Sequence, residues 1–140
     1  MQFIRIHENH FEQLKALHAA YKEEIGEEPP SEEDFSRLLE AIRSERILFF
    51  GTLDEQSRLA ACCSVSLTFS TFNYRTSGVF EDFYIVPAGR HQGLARALVA
   101  FAVKESGVQS LTVGCADCDA AMYGALGFSI PLGRLLAMDL

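Results

Sequence analysis

VFEDFYIV (Val79–Val86), PAGRHQG (Pro87–Gly93) and LARALVAFAVKE (Leu94–Glu105) follow one another in the middle of the chain. The first segment is rich in β-branched and aromatic residues, which favour a strand, and the second carries the Pro and Gly residues typical of a turn. The third is largely apolar, which favours a buried helix, and this helix is expected to end near Gly107 because glycine often follows the last turn of a helix. Because Leu111–Val113 can form another short strand, this passage predicts a right-handed parallel crossover.

Further elements surround this crossover. Period-two alternation predicts a strand at Gln2–Ile6, and apolar spacings of three and four predict a helix at Phe11–Ile25. The other predicted elements are a helix from Ser31 to about Ser44, strands at Ile47–Leu53 and Leu59–Phe69, a loop at Ser70–Gly78, a helix at Asp119–Leu126 and a hairpin within Phe128–Leu140. The order β-α-α-β-β-β-α-β-α-β-β predicts an α/β fold with a mixed central sheet, formed by a single domain of residues 1–140.

The charge balance limits the classes of partner. The chain has 12 Lys and Arg against 19 Asp and Glu, which gives a formal net charge of −7. This charge opposes binding to a phosphate backbone and attracts cations, so we expect no nucleic-acid partner. No signal-peptide pattern is visible, and no apolar stretch approaches the roughly 20 residues of a membrane span. We therefore expect a cytoplasmic protein with no membrane partner.

The four cysteines predict no metal site. Cys62 and Cys63 are adjacent, and adjacent cysteines rarely satisfy disulfide geometry. Cys115 and Cys118 form a single CxxC, whereas a tetrahedral zinc site needs two more ligands that the sequence does not supply. Reduced thiols are the expected state, and a redox pair at Cys115 and Cys118 is the alternative.

The turn between the strand and the helix is a candidate anion site. Backbone N–H groups at a helix start lack partners and carry the positive end of the dipole, so they can bind phosphate oxygens. Gly93 permits close approach to the backbone, and Ala95 is small. The turn lacks a Walker lysine and the G-x-G-x-x-G pattern, which disfavours dedicated nucleotide binding. An ordinary strand-to-helix turn is the alternative.

Two motifs carry a family resemblance. Arg90-His91-Gln92-Gly93-Leu94-Ala95 is similar to the Q/R-x-x-G-x-G/A signature of the GNAT acetyltransferases, and Tyr123-Gly124-Ala125-Leu126-Gly127-Phe128 resembles their second signature, Y-x-x-x-G-F. The resemblance implies acetyl-CoA as co-substrate, with its pantetheine beside the strand ending at Val86. The residues implied to bind it are Ile85, Val86, Arg90, His91, Gln92, Gly93, Leu94 and Ala95.

A narrower resemblance concerns the segments Ser66–Phe72 and Phe80–Val86. They look like the spermidine/spermine and thialysine acetyltransferase branch, although Phe80 stands where that branch has leucine. This resemblance implies a small-molecule primary amine as acceptor and a homodimer, for which the aromatic region Phe69–Tyr74 is a plausible surface.

Glu81 and Tyr123 are the predicted catalytic residues. Acetyl transfer needs a neutral amine, so an ammonium substrate requires a proton acceptor. Glu81 matches the branch's proposed base, and Asp82 is expected on the opposite sheet face because strand residues alternate. Tyr123 matches the family's general acid, which protonates the CoA thiolate. A structural carboxylate pair and a groove-filling tyrosine are the alternatives.

The acceptor substrate is the part of the function that the sequence predicts least well. Acidic residues from Glu23 to Asp34 surround the break between the first two helices, where they either attract a diamine or form a solvated face. Ala116 replaces an asparagine that many relatives have seven positions before the tyrosine, which puts cofactor affinity in question. We expect transfer to a primary amine by direct attack in a ternary complex. A protein or peptide N-acetyltransferase and a non-catalytic acyl-CoA-binding module are the alternatives.

Overall fold

A five-stranded mixed sheet forms the centre of the protein in the computed structural model, which describes all 140 residues. The strands lie side by side in chain order, and β1 to β4 are antiparallel, whereas β5 runs parallel to β4. Their bounds are β1 Gln2–Ile6, β2 Ile47–Leu53, β3 Leu59–Ser70, β4 Arg75–Ile85 and β5 Ser110–Val113. The parallel pair confirms the predicted pairing across the crossover.

Four α-helices connect or flank these strands. They are α1 Phe11–Glu24, α2 Glu32–Arg43, α3 Leu94–Ser106 and α4 Ala120–Ala125, and short 3₁₀ turns lie at Glu8–His10, Pro87–Gly89 and Asp117–Asp119. A capping box begins α2, because the Ser31 hydroxyl accepts from the Asp34 N–H and the Asp34 carboxylate accepts from the Ser31 N–H. The predicted helices are thus all present.

The sheet separates two apolar cores. Adjacent strand residues point to opposite faces, so Phe49 packs under α1 and α2, whereas Phe50 packs under α3. Both rings are fully buried. β2 and β3 are apolar on both faces because helices cover both sides of the sheet.

A bulge interrupts the pairing of β3 with β4. Cys62 lies opposite Tyr84 and Ser64 lies opposite Glu81, so β4 has one extra residue at this point. Asp82 takes up the irregularity with a φ of 54°, a left-handed conformation that is uncommon for a side-chain-bearing residue.

The bulge changes which face Asp82 occupies. Asp82 contacts Ser64 and faces His18 of α1, whereas its neighbour Phe83 packs into the α3 core with Phe80. Regular alternation would have sent Asp82 to the side opposite Glu81. That prediction was wrong, because the extra residue shifts the period-two pattern.

Two other segments differ from their predicted secondary structure. The loop after β3 spans only residues 71–74, because Arg75–Gly78 already pairs with Leu67–Ser70. No strand forms within Phe128–Leu140, so the element order ends at α4. The apolar side chains of this segment are largely exposed, including Leu136, Met138 and Leu140. Their alternation resembles a strand, but a strand exists only where its backbone finds a partner.

Candidate active site

The end of β4 has an unpaired edge. β5 pairs only with Ser77–Phe80, so the next residues, Glu81–Ile85, have β3 on one side and no strand on the other. We call Glu81–Ile85 the splayed edge. It leads through Val86 directly into the turn at Pro87–Gly93. A ligand lying along this edge can contact backbone groups of the strand without competing with a neighbouring strand.

The turn presents unpaired backbone N–H groups. Those of His91, Gln92 and Gly93 have no acceptor within the chain, and no side chain caps the start of α3. Gly93 has a φ of 75°, and a Cβ at this position would meet no atom within 4 Å. The amides therefore face open space at the positive end of a 13-residue helix, which suits a phosphate group.

Arg90 fixes this turn to the rest of the protein. Its Nε donates to the Ile85 carbonyl at 2.8 Å, and its Nη2 contacts both carboxylate oxygens of Glu24 at 2.7 and 2.9 Å. The guanidinium also lies 5.5 Å from the Tyr84 ring centroid. The Arg90 backbone N–H donates to the Pro87 carbonyl at 3.3 Å, so the unpaired backbone N–H groups of the turn begin at His91.

The other predicted cofactor residues lie along the same path. The Gln92 side chain donates to the Ala88 carbonyl, and His91 is exposed. Leu94 is the buried first residue of α3, and Ala95 beside it is half-buried. The Val86 N–H donates to the Ala60 carbonyl at 3.0 Å, so it is not free to bind a ligand.

These features fit acetyl-CoA. The unpaired amides of the turn would hold its pyrophosphate, and the splayed edge would hold its pantetheine arm. No carboxylate lies within the turn to repel the phosphates. Ala116 precedes the 3₁₀ turn at Asp117–Asp119 and is exposed, so it adds only a methyl group to this side.

Tyr123 lies on α4, partly buried against the Phe128 ring at a centroid distance of 6.0 Å. Burial raises the pKa of its phenol, and the neighbouring Tyr21, Asp119 and Cys115 raise the pKa further. The phenol is therefore protonated at neutral pH and can act as a donor.

Three side chains from separate elements meet at the bulge. The Ser64 hydroxyl donates to Asp82 Oδ2 at 2.6 Å, and His18 Nε2 lies 3.8 Å from Asp82 Oδ1. We call His18, Ser64 and Asp82 the bulge cluster. Sequence reasoning missed His18 and Ser64, since each lies in an apolar stretch of its own element and no motif joins them.

The bulge cluster lies mostly out of solvent. Ser64 is fully buried, the His18 side chain is 10% exposed and that of Asp82 is 16% exposed. Burial lowers the pKa of His18, Asp82 opposes this shift, and Lys22 adds to it. Glu81, by contrast, is exposed, although it lies near enough to Tyr21 to help raise the pKa of that phenol.

An acidic cavity lies beside the bulge cluster. It has a volume of about 350 Å³ and lies between α1 and α2; its lining residues are His18, Lys22, Glu27, Glu28, Pro29, Pro30, Asp34, Phe35 and Leu38. Lys22 pairs with Glu27 at 2.9 Å, and Asp34 pairs with Arg37 at 2.7 Å. Glu28 has no ion-pair partner, so the cavity has a carboxylate left for a cation.

A second cavity, of about 750 Å³, lies between α3, β5 and the end of α4. Most of its lining is apolar, as Val99, Val103, Leu111 and Phe128 illustrate. It includes neither Tyr123 nor any residue of the bulge cluster, so it is separate from the groups that could carry out acid–base chemistry.

The structure contains no group of three or more His, Cys, Asp or Glu residues arranged to hold a metal ion. All four cysteines are free thiols, and burial raises the pKa of Cys62 and Cys63. None of the helices has both the length and the apolar character needed to traverse a lipid bilayer.

Comparisons with solved structures identify the same fold. A probable acetyltransferase shares 22% identity over 100% of both chains, with a TM-score of 0.82. A predicted acetyltransferase from Clostridium acetobutylicum, with acetyl-CoA, shares 14% identity over 98% of this chain and 95% of the other, with a TM-score of 0.79. A glucosamine-6-phosphate N-acetyltransferase from Arabidopsis thaliana shares 18% identity over 99% and 96%, with a TM-score of 0.71.

At these identities the likenesses establish the fold alone, and a search of curated proteins found no match. The family assignment comes from the model of the acetyltransferase (GNAT) family, which matches residues 11–128. That match covers α1, the splayed edge, the turn and Tyr123. The chain therefore belongs to the GNAT family of acetyltransferases.

Proposed function

We propose that this acetyltransferase transfers the acetyl group of acetyl-CoA to a primary amine of a small cationic molecule. The observation that carries the proposal is the acidic cavity between α1 and α2, which adjoins the bulge in β4. Its volume of about 350 Å³ suits a short diamine or an amino-acid side chain better than a polypeptide segment. The unpaired Glu28 would attract the distal ammonium of a diamine.

This acceptor class agrees with the resemblance to the spermidine/spermine and thialysine branch. The sequence Phe80-Glu81-Asp82-Phe83 that carries the resemblance lies in β4 at the bulge, next to the cavity. The proposal therefore has two sources of support, one from the motif and one from the charge and size of the cavity.

The reaction we propose is direct attack in a ternary complex. Acetyl-CoA supplies a thioester carbon that an amine can attack. The chain must bind the acceptor as an ammonium, take one proton from it and hold the neutral nitrogen near the splayed edge. Glu81 stays a predicted proton acceptor for this step. A side chain that is exposed, as Glu81 is, can exchange protons directly with water.

Tyr123 is the proposed donor to the leaving sulfur. As the C–S bond breaks, the phenol gives its proton to the thiolate and regains one from water. Its raised pKa keeps the proton in place until negative charge develops on sulfur.

The test is release of CoA thiol from acetyl-CoA by purified protein with diamines, polyamines, thialysine, lysine and short peptides, against a control without amine. We expect release with diamines or lysine-like amines. Release with peptides alone would identify a protein acetyltransferase. Acetyl-CoA binding with no release for any amine would indicate an acyl-CoA-binding module.

We also propose a homodimer, formed through the loop between β3 and β4. Phe69, Phe72 and Tyr74 are 63%, 102% and 73% exposed, and the rings of Phe69 and Tyr74 lie 6.3 Å apart. Such a cluster is costly to leave in water and suits a second copy of the same surface. Sedimentation of Phe72→Ser against wild type should show a shift towards monomer, and a monomeric wild type would contradict the proposal.

Location in the cytoplasm stays a prediction from the sequence.

A further inference from the structure

One aromatic side chain connects the acidic cavity with the splayed edge. The ring centroid of Tyr21, on α1, lies 6.0 Å from that of His18, which lines the cavity. It lies 6.1 Å from the ring centroid of Tyr84, which belongs to the splayed edge. Lys22, another lining residue, has its Nζ 5.7 Å from the Tyr21 ring centroid. An acceptor that is held in the cavity and reaches the splayed edge therefore passes beside Tyr21.

The hydroxyl of Tyr21 is open to a ligand. The side chain is half-buried, and its ring packs against the core under α1 and α2. The hydroxyl, by contrast, is in contact with solvent and has no hydrogen-bond partner within the chain. A packed ring with a free, solvent-accessible hydroxyl suits the binding of a ligand that has both apolar and polar parts.

The charges around this hydroxyl suit a cationic amine. Burial raises the pKa of the Tyr21 phenol, and Asp82, Glu27, Cys62 and Glu81 raise the pKa further. The phenol is therefore neutral at pH 7, and its oxygen can accept a hydrogen bond. The same carboxylates favour an ammonium over an anionic ligand beside the ring.

Tyr21 also interacts with the proposed donor to the leaving sulfur. The core that contains Tyr21 lies on one face of the sheet and the core that contains Tyr123 lies on the other, yet Tyr21 contributes to the raised pKa of Tyr123. Phenols on opposite faces can interact in this way where no strand lies between them, and β5 pairs only as far as Phe80. The reacting nitrogen and the leaving sulfur would thus lie between these two phenols.

The number of N–H bonds determines which amines can use the Tyr21 hydroxyl. A primary ammonium has three N–H bonds. One proton is lost before the attack, a second is lost as the amide forms, and the third stays on the amide nitrogen. A secondary ammonium has two N–H bonds and keeps neither. Only a primary amine therefore has an N–H bond that can stay on one acceptor from binding to product.

We propose that the Tyr21 hydroxyl oxygen accepts this retained N–H bond and so selects primary amines as acceptors. This inference rests on the proposed function and names a residue that determines its substrate class. The hydrogen bond holds the nitrogen in place while its lone pair faces the thioester carbon. Of the two protons that leave the nitrogen, one goes to Glu81, the predicted acceptor, and one to water. The thiolate gains one proton from Tyr123, which regains it from water, so one proton is released for each acetyl group transferred.

The experiment compares Tyr21→Phe, which keeps the ring and removes the hydroxyl, with Tyr74→Phe, the same change at an exposed tyrosine. The readout is kcat/KM for the best primary amine and for its N-methyl derivative. For a diamine, both nitrogens are methylated, so that no primary amine remains. The Kd for acetyl-CoA and the thermal unfolding temperature are measured for each variant.

Tyr21→Phe should lower kcat/KM for the primary amine about tenfold, the loss expected for one hydrogen bond to a charged group. The change should be mainly in KM, because the bond is present in the bound substrate as well as in the transition state. The N-methyl derivative should react with the same, lower kcat/KM in wild type and variant, so the preference for the primary amine shrinks about tenfold. The Kd and the unfolding temperature should be unchanged, and Tyr74→Phe should match wild type throughout.

Other results would overturn the inference. A purely structural role for Tyr21 would lower kcat/KM for both amines alike. If wild type uses both amines equally well, or if Tyr21→Phe and Tyr74→Phe have the same kinetics, the Tyr21 hydroxyl does not bind the nitrogen. These results need an active wild type; a wild type that acetylates no amine would instead refute the proposed function, and this inference with it.

Discussion

The two ends of the splayed edge present polar groups in different ways. At Asp82 these groups are side chains, drawn from α1, β3 and β4, beside the cavity that we propose for the acceptor. Beyond Val86 they are backbone amides of one continuous turn. Under the proposed function, binding of the amine would depend on residue identity. Binding of acetyl-CoA would depend on the backbone conformation of the turn and on its lack of carboxylates. Substitutions should accordingly affect turnover at one end and acetyl-CoA affinity at the other.

Tyr123→Phe should have the largest effect, because it removes the proton donor and keeps the ring that packs on Phe128. We expect kcat to fall about 100-fold, with little change in the Kd for acetyl-CoA. In wild type, activity should decline only above about pH 10, since burial raises the pKa of this phenol, and the variant should lack that decline. Tyr74→Phe, at an exposed tyrosine, is the control. An unchanged kcat would leave Tyr123 as a packing residue.

Gly93→Ala should have a smaller effect, and this effect should be on the affinity for acetyl-CoA. Its φ of 75° disfavours alanine, and the added methyl group would meet the bound phosphate rather than any protein atom. We expect the Kd for acetyl-CoA to rise about tenfold by calorimetry, at unchanged kcat. Gly107→Ala is a matched control, because Gly107 has a φ of 67° and open surroundings at the other end of α3. Equal Kd values for the two variants would exclude the turn as the phosphate site.

The pH dependence of stability should show the smallest effect. The pKa of His18 is lower in the folded state than in the unfolded chain, so the unfolded state binds the proton more readily. The contribution of the neutral imidazole to stability is then full above about pH 6.5 and declines as the pH falls below that value. Hydrogen bonds lower the pKa values of Asp34 and Asp54 in the folded state. The stability that these two carboxylates contribute is therefore lost only below about pH 4.

His18→Asn should therefore flatten the decline in thermal unfolding temperature between pH 7.5 and 5 by a few degrees. His7→Gln should keep the wild-type decline. An equally steep decline in His18→Asn would mean that burial does not disfavour the protonated form of His18 in the folded protein.

The turn after β4 could be predicted from the sequence, whereas the bulge cluster could not, for physical reasons. The turn is one continuous segment, so Pro87, Gly93 and the apolar helix that follows reveal it by local rules. The bulge cluster joins residues 18, 64 and 82, and nothing in their local sequence marks them as neighbours. Alternation predicted Asp82 on the face opposite Glu81 and failed there, because a bulge is a property of the strand pair.

The helices and the strands up to β5 followed from periodicity and β propensity, since the burial of one face or of both faces determines each of them. The prediction of a hairpin within Phe128–Leu140 was wrong. Alternation shows that a segment is able to form a strand, but the strand forms only where a partner strand is available.

The backbone of Asp82 has a consequence for attempts to improve this protein. Glycine would adopt the φ of 54° without steric conflict, so Asp82→Gly would relieve the backbone strain at this position. The same replacement would delete the carboxylate that faces His18. It would also leave the fully buried Ser64 hydroxyl without its acceptor, so the relief of strain at one backbone angle is opposed by the loss of a buried hydrogen bond.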